Sequence, residues 1–295
     1  MEASILFSLP GSVELANNLA KQLNIEVGLA EIRAFPDGES YIRIDSEVKN
    51  KSVIIVCALD HPDPKILPLM FMAKTLKELG VKKICLVSPY LPYMRQDKRF
   101  HSGEAITAVL FAKFLSGWID SLVTIDPHLH RIHYLSEIFT GTQTMTLHAT
   151  KKIAEWISQN ITSAFLIGPD EESLQWVAEV ADYANLPFVV GRKKRFGDRQ
   201  VTIDLPDISA MGNVPVLVDD VISTGASMLA VLEQVLFRGF KKAICIGVHA
   251  LFDAQVERNL LLAGAQKIVT CNTISHQTNQ IDLTEVLAEG IVKLA

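Results

Sequence analysis

The chain has 295 residues, enough for one large domain or two ordinary ones with complete cores. Hydrophobic residues make up 49% and charged residues 21%, a balance that excludes long disordered tracts. A net charge of −5 excludes a global basic field for DNA or RNA, so any anion binding must be local.

The opening run Met1-Glu2-Ala3-Ser4-Ile5-Leu6-Phe7 has no basic start and soon meets Pro10-Gly11. It reads as a first strand, not a secretory signal. No apolar run approaches the length of a membrane span, and a cytoplasmic location is the expectation. Along the chain, strands are expected over 4–9, 53–58, 83–88, 121–126, 164–168, 187–190, 215–218, 242–248 and 267–270. Helices are expected over 13–23, 66–79, 105–115, 150–158, 173–184, 226–238 and 253–263. Strand alternating with helix implies parallel sheets covered on both faces. The number of strands is large for one sheet, and a polar stretch near 141–149 precedes a new helix. Two α/β domains are therefore expected, 1–143 and 144–295, with the last residues allowed to pack back on the first. Cys57, Cys85 and Cys245 lie inside apolar runs, and Cys271 forms no Cys-x-x-Cys pair with any of them, which fits reduced core thiols.

The strongest chemical signal is Pro215-Val216-Leu217-Val218-Asp219-Asp220-Val221-Ile222-Ser223-Thr224-Gly225-Ala226-Ser227. An apolar strand runs into two carboxylates, then a small hydroxyl-bearing turn, then a helix. Backbone N–H groups and hydroxyls of residues 223–227 at a helix N-terminus suit a phosphate dianion. The paired acids can hold ribose hydroxyls, directly or through a divalent cation. A simple helix cap would need only one such residue and would leave the two acids unexplained. Three other strand ends carry acidic or polar loops: Ser88-Pro89-Tyr90, Thr124-Ile125-Asp126-Pro127-His128 and Gly168-Pro169-Asp170. Ligands of open α/β sheets bind at such carboxyl ends.

The loop at Asp219 resembles the phosphoribosyl diphosphate loop shared by type I phosphoribosyltransferases and phosphoribosyl diphosphate synthetases. Further segments resemble the synthetases alone: Phe35-Pro36-Asp37-Gly38-Glu39-Ser40-Tyr41, Ser88-Pro89-Tyr90-Leu91-Pro92-Tyr93-Met94-Arg95-Gln96-Asp97-Lys98-Arg99, the loops at His128 and Asp170, and Lys193-Lys194-Arg195. They occur in the family's order over nearly the whole chain. The Ser-Thr-Gly form of the loop and Lys193-Lys194-Arg195-Phe196-Gly197-Asp198-Arg199 are most similar to the archaeal-type branch.

The resemblance implies two doubly wound parallel-sheet domains of the type I phosphoribosyltransferase kind. It implies a ribose-phosphate diphosphokinase that moves the diphosphate of MgATP to the anomeric hydroxyl of ribose 5-phosphate, releasing AMP. Phe35, Asp37, Gly38, Glu39, Arg95 and Gln96 would bind ATP. Asp219, Asp220, Ser223, Thr224, Gly225, Ala226, Ser227 and Arg195 would bind ribose 5-phosphate. His128 and Asp170 would hold Mg2+, and Lys193 with Arg195 would meet the transferring phosphates. A homo-oligomer, at least a dimer, is implied, with no nucleic acid or membrane partner.

Taken without the resemblance, several of these segments have plainer readings. Asp37-Gly38 is a turn signal that a bare hairpin or loop would also carry. Arg95, Lys98 and Arg99 could be solvated surface charge. His128, His130 and His133 crowd one loop but lack the Cys or Asp partners of a tetrahedral metal site, and Asp126 either orients His128 or simply ends a strand. The four cations 192–195 predict a solvated, mobile segment, as a closing loop requires.

Two departures from the family stand out. Glu171-Glu172 replaces a glycine pair beside Asp170, adding charge there. Ala226-Ser227 replaces Gly-Thr, putting a Cβ where the turn is expected to need positive φ. The first motivates an alternative reading as a non-catalytic regulatory homologue. A type I phosphoribosyltransferase, which would release diphosphate and use no ATP, is the other alternative.

Overall fold

Short β-branched runs become strands wherever a sheet can cover both of their faces, and this chain builds two such sheets. The computed structural model of the protein describes residues 4–129, 131–196 and 200–294, with only the backbone described for the rest of 193–202. The chain divides into two units, residues 1–147 with 284–295, and residues 148–283.

In the first unit, β1 (Ser4–Ser8), α1 (Val13–Leu23) and β2 (Glu26–Val27) lead into a hairpin of β3 (Ala30–Ala34) and β4 (Ser40–Ile44). There follow β5 (Ser52–Val56), α2 (Asp63–Glu78), β6 (Lys83–Val87), α3 (Thr107–Ser116), β7 (Ser121–Ile125) and β8 (Gln143–Leu147). The main sheet has the order β2-β1-β5-β6-β7-β8, and all its pairings are parallel. Alternation sends Ile5, Phe7, Val53, Ile55, Ile84 and Leu86 into one core with Leu69, Met72 and Leu76 of α2 and Phe111 and Leu115 of α3.

The second unit runs α4 (Thr150–Asn160), β9 (Ala164–Gly168), α5 (Leu174–Ala184), β10 (Phe188–Val190), β11 (Arg192–Phe196), β12 (Gln200–Asp204), β13 (Val214–Ile222), α6 (Ala226–Phe237), β14 (Ala243–Ala250), α7 (Ala254–Leu262), β15 (Ala265–Cys271) and β16 (Asn279–Ile281). Its sheet, β10-β9-β13-β14-β15-β16, is again parallel throughout. Phe165, Ile167, Leu217, Cys245 and Ile268 pack with Met228, Val231, Leu232 and Val235 of α6 and Leu260 of α7. The last helix, α8 (Thr284–Leu294), belongs to the first unit, where it packs on α1 and on β6, β7 and β8.

The expected fold class is therefore present: two parallel α/β sheets, each wound in both directions from an internal strand. Local differences have physical causes. Residues 143–147 read as a polar stretch, yet they form β8, whose other side is an open sheet edge. The cationic run 192–195 lies in a two-stranded ladder, Lys193 opposite Ile203 and Arg195 opposite Val201, not in an irregular loop. Ile203, 2% exposed, anchors β12 in the core and gives the cationic strand a partner. All four cysteines are free. Burial pushes the Cys57 and Cys245 thiols up to about 12 and that of Cys85 to about 11, which makes them inert packing groups. Among the described residues, no helix is long and apolar enough to cross a membrane.

Candidate active site

In the second unit the winding direction reverses between β9 and β13. β13 pairs with β9 only from Val214 to Leu217, whereas it keeps pairing with β14 as far as Ile222 opposite Ala250. A crevice therefore opens beside the second half of β13, where a switch-point ligand belongs. Asp219 and Asp220 lie within this half of the strand, so the strand does not stop at Val218 as expected. β14 is long enough to continue the ladder past the two acids.

Asp170 follows the end of β9 and caps the turn Glu171–Ser173, its Oδ1 accepting the Glu172 N–H at 3.2 Å. The Ser173 hydroxyl donates to the Asp170 carbonyl at 2.6 Å. Gly168 has no room for a Cβ, because Ser173 Oγ occupies that position. Burial raises the Asp219 carboxyl well above the usual carboxylate range, and the Asp220 and Asp170 carboxylates raise it further. Its Oδ1 accepts the Asp220 N–H at 3.1 Å. Glu171 and Glu172 are solvent-exposed.

Beyond β13, Ser223 and Thr224 form a bend, and Gly225 adopts φ +73° as N-cap of α6. A Cβ on Gly225 would stand 2.8 Å from Val256 Cγ1, so both conformation and space require glycine. The positive φ thus falls on Gly225. Ala226 is the first helical residue, and its Cβ causes no conflict, contrary to the expectation from sequence. The first turn of α6 leaves N–H groups free of helical partners beside the Ser223, Thr224 and Ser227 hydroxyls, an anion-binding arrangement.

In the first unit the expected nucleotide and metal residues occupy three places. Phe35, Asp37, Gly38 and Glu39 form the tip of the β3–β4 hairpin: Gly38 has φ +94°, Phe35 N–H donates to Glu39 O at 2.7 Å, and Asp37 Oδ1 accepts the Glu39 N–H at 3.2 Å. Phe35 is 40% exposed. The Arg33 guanidinium lies over its ring at 4.7 Å and over the Tyr41 ring at 4.2 Å, and Arg33 Nε donates to Glu31 at 2.9 Å. Arg95 and Gln96 follow β6. Gln96 Nε2 donates to Glu104 Oε2 at 3.3 Å, the same oxygen that accepts the Phe100 and His101 N–H groups at 2.7 and 3.0 Å. Asp97 accepts two hydrogen bonds from Arg131. His128 follows β7, half-buried after Pro127. Two non-glycine residues with positive φ precede these groups, Tyr93 at +65° and Asp126 at +36°.

His133 is exposed, and its backbone N–H is held by Glu137 Oε1 at 3.0 Å. His130 lies outside the described residues, as do the side chains of Lys193 and Arg195. Glu104 and Arg131 were not singled out from sequence. Neither sits in a recognisable pattern, since each acts on a residue several positions or a whole loop away.

Among the described residues, no cluster of three or more His, Cys, Asp or Glu side chains can hold a metal by itself. The carboxylates of Asp170, Asp219 and Asp220 are nevertheless of the oxygen-donor type that a hard divalent cation takes. Such ions take one or two protein carboxylates and complete their shell with water and substrate phosphates. Burial and the neighbouring Asp220 and Asp170 carboxylates are what raise the Asp219 carboxyl.

The fold and the loop after β13 define a class: paired α/β units of the phosphoribosyltransferase kind. Residues 4–118 match the family described as the N-terminal domain of ribose phosphate pyrophosphokinase, and residues 142–285 match the phosphoribosyl transferase domain. The ribose-phosphate pyrophosphokinase of Sulfurisphaera tokodaii is 32% identical over 274 residues, 91% of this chain and 92% of that protein. The enzyme of the same name from Thermoplasma acidophilum is 29% identical over 287 residues, 97% of this chain and 98% of its own. The crystal structure of phosphoribosylpyrophosphate synthetase from Mycobacterium smegmatis has the same fold, with a TM-score of 0.87, 23% identity and 99% of each chain covered. The chain belongs to the ribose-phosphate pyrophosphokinase family and is an enzyme of that type.

Proposed function

We propose that the protein uses MgATP and ribose 5-phosphate to make phosphoribosyl diphosphate and AMP. The observation that carries this reading is the crevice between β9 and β13, where three carboxylates meet a hydroxyl-rich helix start. Residues 223–227 hold the 5-phosphate through N–H groups and hydroxyls, and Asp219 and Asp220 hold the ribose hydroxyls. The anomeric oxygen attacks the β-phosphorus. A new O–Pβ bond forms, the bond from Pβ to the bridging oxygen breaks, AMP leaves with that oxygen, and the hydroxyl proton is lost to water.

Such a transfer needs alignment and charge neutralisation more than covalent chemistry. Arg95 and Gln96 orient the polyphosphate, and the hairpin tip Phe35, Asp37, Gly38 and Glu39 receives the base. Lys193 and Arg195 neutralise charge on the transferring group. His128 and Asp170 would hold Mg2+, which when bound screens the phosphate oxygens. The reading also includes a cytoplasmic homo-oligomer, at least a dimer.

The test is direct. Purified protein with MgATP and ribose 5-phosphate is expected to give AMP and phosphoribosyl diphosphate in equal amounts. No AMP above a protein-free control rejects the synthetase reading and favours a regulatory homologue. Diphosphate release from phosphoribosyl diphosphate and a free base, without ATP, would indicate a phosphoribosyltransferase.

A further inference from the structure

The loop that leaves β6 and the loop that leaves β7 are joined by the Asp97–Arg131 pair. Asp97 lies two residues beyond Arg95, and its side chain is 0% exposed. Its Oδ2 accepts the Arg131 backbone N–H at 2.9 Å, and its Oδ1 accepts Arg131 Nη1 at 3.0 Å. One residue thus satisfies both oxygens of a buried carboxylate, once through main chain and once through side chain. The Arg131 guanidinium also lies 5.6 Å from the centre of the Phe100 ring, on the same β6 loop. Arg131 is three residues beyond His128.

β6 and β7 are hydrogen-bonded neighbours, but their ladder reaches only Val87 and Val123. Past the strand ends the loops need other means to keep a fixed spacing. The Asp97 side chain is enclosed while that of Arg131 is half-exposed, so loss of the guanidinium would leave an enclosed carboxylate without its charged partner. The hydrogen bonds from Arg131 outweigh burial and hold the Asp97 carboxyl below its usual range, so the pair stays ionised at neutral pH.

We infer that Arg131 is a positioning residue for the nucleotide: the Asp97–Arg131 pair locks the loop of Arg95 and Gln96 to the loop of His128. This rests on the nucleotide reading given above. The groups that orient the polyphosphate and its cation come from different loops, and misplacement by about 1 Å can cost on the order of a hundredfold in such a transfer. A purely structural pair would alter heat stability and leave substrate constants unchanged.

The test compares wild type with Arg131→Met, Arg131→Lys, Asp97→Asn and the double variant Asp97→Asn/Arg131→Met. Arg131→Met is expected to raise KM for ATP about tenfold, with KM for ribose 5-phosphate within about twofold of wild type. Arg131→Lys should recover only part of the loss, because an ammonium lacks the planar fork. The double variant should be no worse than the poorer single one. Backbone hydrogen exchange, read on the same proteins without substrate, should quicken about tenfold in both 95–104 and 128–134 of Arg131→Met, with β6 and β7 unchanged.

An unchanged KM for ATP in Arg131→Met, an equal rise in KM for ribose 5-phosphate, or faster exchange in only one loop would overturn the inference. His128→Ala serves as the control for the underlying reading. If it keeps wild-type turnover, the nucleotide assignment fails, and the lock is then judged by whether the two loops exchange together.

Discussion

Gly225→Ala tests the fold and the site at one atom. The native φ of +73° is left-handed, where an added Cβ costs about 1–2 kcal/mol. The same Cβ would stand 2.8 Å from Val256 Cγ1 and 3.7 Å from both Leu260 methyls. Ordinary contact begins near 3.4 Å, so Val256 must retreat by roughly 0.6 Å within a buried cluster, an overpacking cost of about 1–3 kcal/mol. The sum is about 2–5 kcal/mol, a large share of a total stability of about 5–15 kcal/mol. A melt of the variant should show a loss of at least about 5 °C. Because the strained residue is the N-cap of α6, affinity for ribose 5-phosphate should also fall, measured by calorimetry below the melt. Val256→Ala in the same background should restore the packing part of the stability and leave the backbone part. A Gly225→Ala protein with wild-type melting and wild-type affinity would refute both the conformational and the binding argument.

Three other outcomes are expected. Arg33→Met removes a cation that faces two rings, each contact worth about 0.5–1 kcal/mol at an exposed site, so KM for ATP should rise about twofold to fivefold through loss of the Phe35 orientation. An unchanged KM would remove Phe35 as a base platform. Asp219→Asn concerns a carboxyl whose folded pKa is raised, so the group favours folding below the unfolded value of about 3.9 and loses that contribution as pH rises through the folded value. Without divalent cation, the variant should gain stability over wild type as pH increases from about 4 towards neutrality, while its ribose 5-phosphate affinity drops; parallel melting curves across that range would contradict the assignment. Lys193→Ala should lower turnover on the order of a hundred- to thousandfold with ribose 5-phosphate binding retained, and a near-normal rate would dismiss Lys193.

The sequence showed most of the architecture, because apolar strand runs and amphipathic helices carry their period locally. It misjudged places where a partner strand decides. Asp219 and Asp220 look like strand breakers, yet β14 extends alongside and keeps them in the ladder as far as Ile222. Lys193 and Arg195 look like solvated charge, yet β12 supplies hydrogen-bonding partners and a buried Ile203. The loop at Gly225 was legible as a motif, but not the residue bearing the positive φ. That residue is Gly225, the N-cap immediately before α6, which begins at Ala226 as expected. Arg131 was illegible for a different reason: its role exists only through Asp97, 34 positions away.

The two units share one strand order, and the comparison shows how the same topology is put to different use. In the first unit the reversal falls between β1 and β5, where chemistry would be expected by topology alone. There the polar groups are spent on each other. Ser12 Oγ accepts the Ala58 N–H at 2.9 Å, and Lys65 Nζ donates to Ala58 O at 2.9 Å and to Asp60 Oδ1 at 2.6 Å. The ammonium that could attract an anion is already neutralised, and a phosphate would have to displace Asp60 first. In the second unit the equivalent crevice holds three carboxylates, one of them with a raised pKa, beside a glycine-capped helix start. These carboxylates are the groups that the proposed sugar-phosphate site would use to recruit a cation. Glu171 and Glu172, which by sequence threatened to add charge to that crevice, are exposed, and the Glu172 N–H donates to Asp170 Oδ1, the cap of their turn. The Glu172 contact with the Asp170 side chain is made by its backbone N–H, which a glycine at that position would also offer.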